Sequence, residues 1–259
     1  MTSMESRKYG FDESLVVVKP EDWIRLGGVG ETIRPDGVWP LVEYEAQADL
    51  TETCRCTIYG MMSQIEMYIK AVWGFEPNYA ERFTASLLGI TCPGANPNDA
   101  YESARKVGLV EESDLPDATT IEELTLSQKD IDKYMSFARR WLTEYSLNHW
   151  WLPDTSKSAI IEQLEACPVG VAVTAWYEED GVYVDRGLPN SHWCVAFAPA
   201  DYKGRKTVKV FDTYDHSVKI LHPDHRISFA KAITVTKAPI KSNWIIDLWT
   251  RILKALFNR

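Results

Sequence analysis

The chain has 259 residues, 45% of them hydrophobic and 25% charged, enough for one large domain or for two lobes sharing a cleft. Its net charge of −9 argues against nucleic acid as a general partner, because phosphate binding needs a basic surface. Ten Trp and twelve Tyr are many for this length and suit a core, a peptide groove, or both.

The opening stretch MTSMESRKYGFDESLVVVKPEDW contains no apolar run of signal-peptide length, and no run in the chain reaches the ~18 apolar residues of a spanning helix. Residues 1–50 read as irregular, with strand-like pieces at Leu15–Val18 and Trp39–Tyr44. The apolar positions Ile58, Met61, Met62, Ile65, Ile69 and Val72 then recur at helical spacing, and Gly74 and Pro77 end that helix. Further helices are predicted over Ala80–Leu88 and Asp99–Val107, with the loop TCPGANPN between them. Residues 121–147 read as one or two surface helices with a capping box at Thr120–Glu123, and residues 157–166 as another helix ended by Pro168.

After Pro168 the pattern changes to short β-rich runs: VGVAVTAW, VYVD, HWCVAFAP, TVKVFDTY and AITVTKA. Helices first and strands later imply an α+β fold rather than alternating α/β. The last segment, SNWIIDLWTRILKALFNR, reads as helical again, with Trp244, Ile245, Leu248, Trp249 and Phe257 on one broad face. Such a face either packs on the body of the protein or docks on a membrane surface or a partner protein.

The cysteines are Cys54, Cys56, Cys92, Cys167 and Cys194. An odd count in a long chain argues against a disulfide framework and for a reducing, cytoplasmic setting. Cys92 lies in a Gly/Pro/Asn loop, and Cys167 and Cys194 read as core. Cys54 and Cys56 sit in TETCRCTIYGMM, one residue apart. A thiol becomes a good nucleophile when it is partly thiolate, and a helix N-terminus or a nearby imidazolium favours that form. Cys56 stands where the helix begins and Cys54 outside it, so Cys56 is the better placed of the two. The alternative is that both are small apolar residues of a buried loop–helix junction. A structural zinc site needs four ligands, and no second cysteine pair completes one. HSVKILHPDH, with His216, His222 and His225, suits a turn. No metal or other cofactor is expected.

His192 opens HWCVAFAP and Asp212 follows in VKVFDTYD. A hairpin turning around Lys203–Gly204 would set His192 opposite roughly residues 212–215. The carboxylate would then orient the imidazole and support its charged form, as the third member of a nucleophilic triad does. The alternative is a buried structural His–carboxylate pair.

The order Gln, Cys at a helix start, His on a strand, then Asp followed by an aromatic residue resembles that of papain-like cysteine peptidases. CTIY at Cys56 resembles the start of the family's central helix, CPVGVAVTAW its "gly-Pro-val-x-val" strand, and SHWCVAFA its "His-Ala-Val" strand. VKVFDTYD sits where the family has the strand ending in Asn-Ser-Trp, and ERFTASLLGITCPGANPNDAYESARKVGLVEESDLP is similar to its Gly-rich loop and following helix. The likeness spans residues 40–236 and is greatest to compact members from bacteriophages and bacteria.

The resemblance implies a two-lobe papain-like fold forming one domain. It divides into an N-terminal segment (1–50), a helical lobe (51–117), a helical insertion (118–166), an antiparallel β lobe (167–240) and a C-terminal amphipathic helix (241–259). It implies Cys56 as nucleophile, His192 as general acid/base, Asp212 as its orienting partner and Tyr214 as the shielding aromatic. Gln47 would join the Cys56 N–H in the oxyanion hole. The implied activity is hydrolysis of peptide or isopeptide bonds in a peptide or protein substrate. Two alternatives stand beside it: an inactive papain-like protein with a structural, host-interaction or virion-associated role, and a transglutaminase-like acyl transferase. Three departures mark the chain. Gln47 precedes Cys56 by nine residues rather than the family's six; the orienting residue is Asp rather than Asn; and Cys54 lies two residues before the nucleophile, where the family's disulfide cysteine lies three before.

Overall fold

The computed structural model describes residues 10–19, 31–43, 47, 50–92, 94–214 and 217–237. The C-terminal amphipathic helix expected over Trp244–Phe257 lies outside them. Helix α1 (Cys56–Trp73) starts on the expected nucleophile, is buried from Cys56 to Ile69, and ends at Gly74. Gly74 takes the left-handed conformation, φ 74°, that closes a helix without a Cβ clash. Helix α2 spans Glu81–Leu87 and α3 spans Pro97–Val107, where the Asn96 side chain accepts the Asn98 N–H and proline opens the first turn. Helices α4 (Gln128–Glu144) and α5 (Lys157–Leu164) each begin on a serine cap, Ser127 and Ser156.

The strands are β1 (Tyr145–Trp151), β2 (Val169–Val173), β3 (Glu178–Glu179), β4 (Val182–Tyr183), β5 (His192–Tyr202), β6 (Arg205–Asp212), β7 (Ser217–Ile220) and β8 (Ala230–Lys237). Six of them form an antiparallel sheet in the order β1-β8-β2-β5-β6-β7, and β3 with β4 forms a separate hairpin. Helix α1 lies against β5 and β2. Gly60 permits the close approach, since a Cβ there would stand 2.8 Å from Trp193 Cδ1; on β2, Gly170 leaves room for α3, since a Cβ there would stand 2.6 Å from the Tyr101 hydroxyl. The core between them is dense in Trp39, Met61, Met62, Trp151, Trp193 and Phe211.

Several elements differ from the sequence expectation. The stretch 121–147 holds a single 3-10 turn (Glu122–Leu124), then α4, and then leaves helix at Tyr145 to become β1. Pairing with β8 from Tyr145↔Lys237 to Trp151↔Lys231 satisfies that backbone, a tertiary contact that local pattern does not report. Thr120–Glu123 forms no capping box; Glu123 instead accepts from the N–H and hydroxyl of Thr119. Leu15–Val18 and Trp39–Glu43 contain no strand, and Tyr44 lies outside the described residues. HSVKILHPDH contains β7 as well as a turn.

The cysteine reading needs correction too. Cys54 and Cys92 form a disulfide, with Cα atoms 5.2 Å apart across a sequence separation of 38. The fold brings the approach to α1 against the loop after α2, a proximity that counting cysteines does not reveal. Cys56, Cys167 and Cys194 are buried thiols outside this disulfide.

The N-terminal pieces pack on this framework. The Gly10 carbonyl accepts the Ala95 N–H at 3.3 Å, Phe11 stacks near Trp193 and Phe229, and Glu13 accepts the Asn190 N–H at 3.0 Å and pairs with Arg226. The segment thus bridges the loop before α3 and the sheet. Trp39 donates its indole N–H to the Leu164 carbonyl at 2.7 Å and its backbone N–H to Phe197. Among the described residues no helix is long and apolar enough to cross a membrane.

Candidate active site

Cys56 is the first residue of α1, and no side chain caps that helix; the Ile58 N–H donates to the Arg55 carbonyl at 2.8 Å. Its neighbour Arg55 is buried and donates to the Leu124 carbonyl and the Thr125 hydroxyl, tying the helix start to the loop before α4. On the other side the disulfide holds Cys54, which has a left-handed φ of 53°. The first turn of α1 is therefore anchored from both flanks.

His192 opens β5 and Asp212 ends β6. These strands pair through Val195↔Phe211 and Ala196↔Val210, inside the register expected from the hairpin. His192 Nε2 lies 2.6 Å from Asp212 Oδ1, and Cys56 is close enough for its charge to act on the imidazole. All three side chains belong to fully buried residues. Burial disfavours a charged His192, but the charges of Asp212 and Cys56 and the hydrogen bond to Asp212 outweigh it and hold the imidazole well above its ordinary value. Burial likewise pushes the Asp212 carboxyl up, but His192 and Lys219 outweigh it, so the group stays ionised. Cys194, also on β5, is driven far up by burial and remains a neutral thiol.

Two rings flank the imidazole: Tyr214 at 6.2 Å and Trp176 at 5.7 Å between centroids, both edge-on. Tyr214 also donates its backbone N–H to Asp212 Oδ1. Gln47 is buried near the same end of the site, its N–H donating to the Thr213 carbonyl and its side-chain amide meeting Glu52 at 3.4 Å. One N–H of the amide is given to Glu52, which leaves the second for another acceptor.

Two residues here escaped the sequence reading. Trp176 follows β2 in a stretch taken only as β-rich, and nothing local marks it as a lid over His192. Lys219 donates to Asp212 Oδ2 at 2.7 Å from a fully buried position. On β7 the usual alternation is inverted, with Val218 exposed and Lys219 inside, so hydropathy pointed the wrong way.

No family model and no curated protein sequence matches the chain. Solved structures do. Digestive procathepsin L 3 of Tenebrio molitor larval midgut superposes with a TM-score of 0.61 at 12% identity, over 90% of this chain and 76% of that one. The proform of the ragweed pollen allergen Amb a 11, a cysteine protease, gives 0.60 at 15% identity over 82% and 69%. Bromelain from Ananas comosus, in complex with the E64 inhibitor, gives 0.57 at 17% identity over 79% and 98%. The protein has a papain-like fold. In papain-like terms, α1 is the central helix of the helical part and the six-stranded sheet carries the His–Asp pair. The α+β class read from the sequence is the one observed.

Proposed function

We propose that the protein is a cysteine peptidase acting on peptide or isopeptide bonds. The observation that carries the reading is His192, which bonds Asp212 through Nε2 and lies within the electrostatic reach of Cys56 at the start of α1. In this reading His192 takes the Cys56 proton and the thiolate attacks the carbonyl carbon of the scissile bond. The oxyanion is met by the Cys56 N–H and by the Gln47 amide. His192 then returns the proton to the leaving amine. A water molecule, deprotonated by His192, attacks the thioester; the acid leaves and the proton returns to the Cys56 sulfur. Asp212 keeps the ring in the orientation that serves both transfers.

The test is labelling with an epoxysuccinyl inhibitor of the E64 type, followed by peptide mapping and a peptide-library hydrolysis assay. Label on Cys56, lost in Cys56→Ala and lowered at least about 100-fold in rate in His192→Ala, supports the reading. A folded protein that takes no label and cuts no peptide overturns it. Complete burial of the triad favours a second reading, a silent papain-like binding protein. That same outcome would support it.

A further inference from the structure

We propose that Lys219 is a positioning residue of the Cys56–His192–Asp212 site, an inference that rests on the peptidase reading above. Its ammonium neutralises Asp212, so that His192 faces a carboxylate–ammonium pair carrying no net charge. The two oxygens of Asp212 are divided between two partners: Oδ1 takes His192 Nε2 at 2.6 Å and Oδ2 takes Lys219 Nζ at 2.7 Å. The Tyr214 N–H, 3.1 Å from Oδ1, fixes the carboxylate plane further. Nζ is enclosed by the Trp176 ring at 4.9 Å and the Tyr183 ring at 5.4 Å, and it also reaches the Ser217 hydroxyl. Trp176 therefore covers the ammonium and the imidazole together.

The charge balance has a chemical consequence. A lone buried carboxylate would hold His192 tightly in its charged form, whereas the reaction needs the ring to accept and release a proton in turn. An amide would orient the ring without that pull. The Asp212–Lys219 pair keeps the oxygen geometry of a carboxylate but pulls on the His192 proton less than a lone carboxylate would. The other titratable or polar groups around it are Cys56 from α1, Cys194 from β5, Tyr183 from β4, Tyr214 after β6 and Ser217 on β7. Glu52 stands behind Gln47, and His225 lies behind Trp176. None of them is a second cation in contact with the carboxylate among the described residues.

The test follows the His192 ring by NMR across pH, with kcat/KM on peptides measured in parallel. Removing a cation raises proton affinity, so in Lys219→Met the imidazolium titrates about one unit higher and the basic limb of kcat/KM moves up with it. Asp212→Asn leaves the ammonium buried without a counter-charge; the ring titrates lower and activity falls. Asp212→Asn/Lys219→Met removes both charges. It brings the titration back to within about half a unit of wild type and recovers at least about tenfold of the activity lost in Asp212→Asn. A Lys219→Met ring that titrates with wild type, or a double variant no better than Asp212→Asn, overturns the proposal. Should Lys219→Met not fold, the double variant, which buries no unpaired charge, decides alone through the same titration. Wild type that takes no epoxysuccinyl label would sink the peptidase reading, and the His192 titrations would still report on the ion pair.

Discussion

At the scale of single residues, Gly60 governs how near Cys56 comes to His192. It is the point at which α1 rests on β5, and a methyl there would stand 2.8 Å from the buried Trp193 ring. Gly60→Ala is expected to cost about 1–3 kcal/mol in denaturant unfolding, as overpacking does. It should also lower kcat/KM by more than the lost stability explains, because the helix that carries the thiol is pushed off the strand that carries the imidazole. Unchanged kinetics in a folded variant would show that the approach of α1 does not set the site. The places of Cys56, His192 and Asp212 in the fold were legible in the sequence because each stands at the end of an element whose pattern is local: a helix start, a strand start and a strand end. Lys219 was not. Its meaning comes from Asp212 on the neighbouring strand, and its own strand presents a lysine where a hydrophobic residue is usual. Gln47 lies between these cases: it is buried beside Thr213, but its side chain faces Glu52.

At the scale of elements, the same distinction separates what could be read from what could not. The start of α1 and the β5–β6 register follow from nearby residues, the periodic run from Ile58 and the turn at Lys203–Gly204. Strand β1 depends on β8, more than 80 positions away by the Tyr145↔Lys237 pairing, and no local signal stops the helical reading at Glu144. The Cys54–Cys92 bond is another long-range product. Closing a loop with a sequence separation of 38 removes roughly 4 kcal/mol of unfolded-state entropy on the chain-entropy estimate. Cys92→Ser should therefore lower the unfolding free energy by a similar amount in denaturant titrations. A midpoint equal to that of the wild type would show that the crosslink adds nothing to the packing already present. Because the bond ends two residues before Cys56, the variant should also loosen the first turn of α1, seen as faster amide exchange there.

At the scale of the whole molecule, acid should weaken the fold through His225. The ring is buried, its Nε2 accepts the Thr174 N–H at 3.3 Å, and its Nδ1 lies 3.0 Å from the Tyr183 carbonyl. That pair of bonds requires a neutral ring protonated on Nδ1, because an imidazolium has no acceptor to offer Thr174. Burial is the main force holding its pKa down from 6.5 to about 4, against a smaller upward pull from the Tyr183 hydrogen bond. The unfolded chain takes up this proton as pH falls below the ordinary value and the folded chain does not. Stability is thus lost across that window, by on the order of 3 kcal/mol at its lower end. Unfolding midpoints measured through the window should fall steeply in wild type and more gently in His225→Gln. Parallel curves would place the acid sensitivity elsewhere. The complete burial of Cys56 has a consequence for chemistry in the resting protein. A diffusible oxidant or alkylating agent meets the sulfur only when the surroundings part. The half-life of the thiol is then set by how often the interior opens.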